Sequence, residues 1–112
     1  MGKEIPKRVG NVMEKRLPDE FIIVNTNTNE LMVPSSVGED IWKLIDGSRT
    51  VDEIIDLICL DYGVKRDEPA GDDEIPDSIG EVISAKGESV AEQVQAFVDV
   101  FVQKGIVEII TL

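Results

Sequence analysis

The side chains that could do chemistry are few in kind: 23 carboxylates, one cysteine and no histidine. Histidine is the commonest metal ligand and the side chain that most readily exchanges protons near neutral pH, so its absence removes most acid–base and metal designs. Cys59 has no nearby cysteine or histidine to make it a nucleophile or a ligand, and beside Ile58 on a helical stripe it reads as packing. The densest acidic group is Asp67, Glu68, Asp72, Asp73, Glu74 and Asp77. It lacks the Asp-x-Asp-x-Asp-Gly spacing and closing Glu of a calcium loop, and reads as a solvated segment whose field could steer a basic partner. No catalytic residue, metal site or cofactor is expected.

The elements that must position any site change character along the chain. The first third reads as strands: Val9 and Val12-Met13, a turn at Pro18 to Glu20, the run Phe21 to Val24, and Leu31-Met32-Val33 stopped at Pro34. The Asn and Thr residues from Asn25 to Asn29 read as a hairpin loop. A three-stranded antiparallel sheet follows. Three Ser/Thr-x-x-Glu boxes then open helices by reciprocal capping: Ser36 with Glu39, Thr50 with Glu53, and Ser89 with Glu92. Their apolar stripes are Val37, Ile41, Leu44 and Ile45; Val51, Ile54, Ile55 and Ile58; and Val90, Val94, Phe97, Val98 and Phe101. Trp42 lies beside the first stripe and reads as core or half-core. Asp46-Gly47 and Lys104-Gly105 close the first and third helices, with glycine where a left-handed residue is wanted. Ile106 to Leu112 is a β-prone tail.

Residues 65–88 hold eight acidic and three basic residues, two prolines and three glycines, a loop by pattern but longer than helix connections usually are. Within it Ile79 to Ile83 reads equally as a short strand or a helical turn. With 42% hydrophobic and 30% charged residues, residues 1–112 are expected to fold as one α+β domain. No apolar run approaches the roughly 20 residues needed to span a bilayer, and the first ten lack the apolar core of a secretory signal. A cytoplasmic location is expected, and a lone cysteine fits a reducing compartment.

The stretch from Ser36 to Ile55 resembles the PqqD family of coenzyme-biosynthesis proteins. It has a small-residue helix start, an Ile41-x-x-Leu44-Ile45 core, the turn Asp46-Gly47-x-x-Thr50-Val51, and a second helix opening Asp52-Glu53-Ile54. Leu31 to Ser36 and Val94 to Val107 extend the likeness to the third strand and third helix. The long acidic segment at 65–88 is a departure from compact members. The resemblance implies a winged-helix-like fold, with a three-stranded antiparallel sheet followed by three helices. It also implies a partner: the leader of a ribosomally made precursor peptide, which the module presents to a maturation enzyme, often a radical SAM protein. In that family the leader docks as an extra strand beside the third strand, against the third helix. Carried over by position, the edge is Glu30, Leu31, Met32 and Val33, and the wall is Val94, Gln95, Phe97, Val98 and Phe101.

Two rivals come from other classes. A winged-helix DNA-binding regulator would share the element order, but a net charge of −12 repels phosphate, and Val90 to Lys104 carries Glu92 and Asp99 against one Lys. A non-catalytic structural subunit, pairing through its strand edge, leaves a homodimer open. Because Val90, Val94, Phe97, Val98, Val100, Phe101 and Val102 span more than one helical face, some of them are expected at a groove or an interface.

Overall fold

A computed structural model describes residues 4–34, 36–68, 81–83 and 89–111, the short stretch 81–83 by its backbone. The expected sheet is a meander of β2 (Val12–Arg16), β3 (Phe21–Asn25) and β4 (Glu30–Pro34), all antiparallel, with Met13 opposite Val24 and Ile23 opposite Met32. Strict alternation builds β3: Phe21, Ile23 and Asn25 are buried, while Ile22 and Val24 are half-buried. The hairpin after β3 closes through the Asn29 N–H, which donates to the Asn25 carbonyl at 2.7 Å, with Asn29 at φ 61°. Asn is among the few side chains that tolerate this left-handed region.

The helices are α1 (Ser36–Leu44), α2 (Val51–Tyr62) and α3 (Val90–Gln103). Thr50 and Glu53 form the full capping box, with Thr50 Oγ1 accepting from the Glu53 N–H at 3.1 Å and Glu53 accepting from the Thr50 N–H at 2.9 Å. Ser89 caps α3 by accepting from the Glu92 N–H at 3.2 Å. The first box does not form. Ser36 is already helical, and the Glu39 carboxylate is drawn to Arg16 of β2 and to Lys43, two charge-assisted contacts that outcompete a bond to a backbone amide. Burial opposes ionisation of Glu39, yet these two cations hold its carboxyl below the ordinary range.

Between α1 and α2 the Asp46-Gly47 turn does structural work. The Asp46 carboxylate accepts from the Ser48 backbone N–H at 2.9 Å, the Ser48 hydroxyl at 2.8 Å, and the Arg49 guanidinium, which together hold its carboxyl below the ordinary range. Gly47 and Gly105 take positive φ, at 82° and 74°, as the two turns require.

All three helical stripes bury against the sheet in a core that includes Ile23, Met32, Ile41, Trp42, Ile54, Ile58, Val94, Phe97 and Phe101. Trp42 meets Phe101 edge to face, with ring centroids 5.3 Å apart. Leu44 is half-buried, Val100 is half-buried and Val102 is 39% exposed, so α3 leaves part of its apolar surface outside the core.

Two pairings go beyond the expected sheet. The C-terminal tail is a strand, β6 (Val107–Thr111), antiparallel to β1 (Glu4–Arg8) in a separate two-stranded sheet. Arg8 anchors β1 to α1: its Nη2 donates to the Trp42 carbonyl at 2.7 Å and its guanidinium lies 4.7 Å from the Trp42 ring centroid. The second is β5 (Glu81–Ile83), a parallel neighbour of β4, which makes the larger sheet four-stranded in the order β2-β3-β4-β5. The ambiguity at Ile79 to Ile83 thus resolves as a strand over Glu81–Ile83; the rest of the long acidic segment's interior lies outside the described residues.

Candidate peptide-binding site

The residues singled out by resemblance fall into one neighbourhood but not into one kind of environment. On β4, Glu30 and Leu31 are exposed, whereas Met32 and Val33 are fully buried. Met32 belongs to the main core cluster and Val33 lies outside it, as alternation along a strand demands. Met32 faces the core from the side of β4 opposite Leu31 and Val33. On α3, Val94, Phe97, Val98 and Phe101 are all buried, while Gln95 is exposed and donates to Asp99 at 2.9 Å. In the structure described, Glu30 and Leu31 at the start of β4 and Gln95 on α3 are what a partner could reach; the apolar residues behind them set the shape of the surface.

Three contacts hold β4 and α3 in register. Lys104, at the C-terminal end of α3, has its Nζ 3.8 Å from a Glu30 carboxylate oxygen at the start of β4. Asn25, the last residue of β3, donates from Nδ2 to the Lys104 carbonyl at 2.8 Å. Its Oδ1 accepts from Asn11 Nδ2 at 2.8 Å and from the Asn27 N–H at 3.0 Å. The third contact is steric. A Cβ at Gly38 of α1 would stand 2.5 Å from the Phe97 ring of α3 and 2.9 Å from Pro34 Cβ of β4, so only glycine lets the three elements meet.

Sequence reasoning missed these positioning residues. Asn25 carries a legible signal: it has the same parity as Phe21 and Ile23, so a polar residue on the buried face demands hydrogen-bond partners. Gly38 and Lys104 carry none without knowing which elements meet.

The edge of β4 was expected to be unpaired, and along part of its length it is not. Met32, Val33 and Pro34 stand opposite Glu81, Val82 and Ile83 of β5. Glu30 and Leu31 pair with Asn25 and Val24 on the β3 side and have no register partner in β5 on the other.

The remaining chemistry is sparse. Burial pushes the Cys59 thiol up, away from the thiolate form that nucleophilic work requires. Among the described residues no cluster of His, Cys, Asp and Glu has the arrangement of a metal site. A cleft of about 490 Å³ between α1 and α2 is lined by Leu44, Leu57, Ile58 and Leu60 with Asp40, Lys43 and Asp61, and shares no residue with β4 or α3. Its Asp40 carboxylate is engaged, accepting from the Tyr62 hydroxyl at 2.6 Å. No helix among the described residues is long and apolar enough to cross a membrane.

Comparison with known proteins places this geometry in context. The family model described as coenzyme PQQ synthesis protein D (PqqD) matches residues 20–107. A solved structure titled as TbiB1 in complex with the TbiA(beta) leader peptide is similar in fold: TM-score 0.64, 22% identity, covering 91% of this chain and 94% of that one. The comparison with curated proteins finds no match.

Proposed function

Because this chain belongs to the PqqD family, we propose that it is a peptide-recognition module, which captures the leader of a ribosomally made precursor peptide and presents it to a modifying enzyme. The leader adds as a strand to the outer edge of β4, with Glu30, Leu31, Met32 and Val33 supplying the backbone ladder. Val94, Gln95, Phe97, Val98 and Phe101 of α3 supply the wall. The observation that supports this reading is that the outer edge of β4 is paired with a strand of the chain itself, Glu81–Ile83. Main-chain bonds to such an edge give affinity, and neighbouring side chains give choice.

The module breaks no bond. Its own cysteine is held as a thiol, and it contributes by holding substrate beside the enzyme, which raises local concentration without new chemistry. The enzyme served is of the radical SAM type or another leader-dependent modifier, and the complex forms in the cytoplasm. Glu30 on the edge and the exposed Glu92 and Asp99 on α3 favour a leader with basic residues flanking its apolar segment. The same charges disfavour a nucleic-acid partner, because phosphate binding depends on Lys and Arg.

Isothermal titration with synthetic leaders of the short open reading frames beside the gene tests this function. One leader is expected to bind one-to-one, between sub-millimolar and sub-micromolar, or about −5 to −9 kcal/mol. Absence of heat or saturation for every candidate at millimolar concentration would overturn it.

A further inference from the structure

The part of β4 that the leader would use is already in use. We propose that β5 is an internal competitor: Glu81–Ile83 occupies the leader edge in the free protein, and the leader binds by displacing it. This rests on the reading of β4 as the leader site.

The pairing is built to be exchangeable. It spans only three residues on each strand. It is also parallel, the slightly weaker arrangement per residue. A leader running along Glu30 to Val33 would use two positions that have no register partner in β5. Glu30 and Leu31 therefore offer a foothold from which an incoming strand can pair first and then replace β5 residue by residue.

What keeps so short a strand in place is its tether. At the base of the segment the Val90 N–H donates to the Glu68 carbonyl at 2.7 Å and the Ala91 N–H to the Arg66 carbonyl at 3.4 Å, joining the exit of α2 to the entry of α3. Arg66 is itself fastened to α2, 3.1 Å from Asp52 and 3.2 Å from Asp56. Glu68 and Val90, between which β5 lies in the chain, are thus held together. A strand presented this way acts at an effective concentration in the millimolar range, so weak pairing suffices to hold the edge. If the edge is closed for nine-tenths to ninety-nine hundredths of the time, the apparent affinity for a leader falls about ten- to hundred-fold. Weak, poorly matched peptides are then refused, and those with a longer or better-fitting strand are admitted.

Two measurements on the full chain decide it. Ile83→Pro removes a ladder donor from β5, since in a parallel pairing centred on Val33 the residues flanking Val82 carry the bonds. The same synthetic leaders are titrated into wild type and variant, with binding at least about tenfold tighter expected for the variant. Independently, amide hydrogen exchange in the wild-type protein is expected to show Glu81 to Ile83 protected when free and exposed once a leader is bound. Equal affinities would overturn the competition while leaving leader capture standing. So would β5 amides unprotected in the free protein, or more protected in the complex because the leader had added to the outer edge of β5. If neither protein binds any leader, the leader reading fails and the competition falls with it. Should the variant not fold, the wild-type exchange data decide alone.

Discussion

Asn25 carries more of the site's geometry than any apolar residue near it. Its amide joins the end of β3, the start of the β3–β4 hairpin, Asn11 and the last turn of α3 through three hydrogen bonds, and the residue is 3% exposed. Replacing it with alanine removes three hydrogen bonds made by a buried side chain, a loss of about 1–3 kcal/mol. Urea unfolding of Asn25→Ala is expected to show a loss of that size, with amide shifts reaching from the hairpin to Lys104. Gly38 is the steric counterpart. A methyl group there meets Phe97 and Pro34 inside normal contact distance, so Gly38→Ala is expected to destabilise by about 1–3 kcal/mol despite alanine's better helix propensity. A thermal melt that moved upward would show that α1 has room to shift away from β4 and α3.

At the scale of elements, the two α-helix starts that look alike in sequence behave differently. Thr50→Ala removes a working cap and is expected to cost about 1 kcal/mol in a urea titration. Ser36→Ala is expected to stay within about 0.5 kcal/mol of wild type, since Glu39 serves Arg16 and Lys43 instead. The strands β2 to β4, the three apolar stripes, the buried Trp42 and the left-handed turns at Gly47 and Gly105 were legible because each is a local pattern. The β1–β6 sheet was not: Glu4–Arg8 and Val107–Thr111 lie at opposite ends of the chain, and nothing local says that they pair. The same holds for β5. Ile79 to Ile83 reads as a short strand or a helical turn, and the place of Glu81–Ile83 beside β4 is a pairing with a strand some fifty residues upstream. The neighbourhood of the candidate site came from family likeness, whereas the division between exposed Glu30, Leu31 and Gln95 and the buried residues behind them needed the fold.

The molecule as a whole combines a net charge of −12 with ion pairs that depend on ionised carboxylates. Glu39 ties β2 to α1, and its folded-state pKa lies below the ordinary value of 4.5. Its contribution is therefore fully present above that value and is lost as pH falls through the lower, folded one. Urea midpoints are expected to separate wild type from Glu39→Gln at pH 7, with the gap narrowing as pH falls below 4.5; a constant gap would mean that the carboxylate's charge contributes nothing. The negative charge also biases encounter, since a protein this acidic meets basic peptides faster and anionic ones more slowly.

Leader capture on the β4 edge is tested most directly by a two-dimensional NMR amide titration of the isotope-labelled protein with synthetic leaders. The result predicted is saturable shifts concentrated at Glu30 to Val33, the exposed face of α3 around Gln95, and Glu81 to Ile83 as β5 departs. Saturable shifts confined to the α1–α2 cleft or to the β1–β6 sheet, with β4 silent, would contradict it.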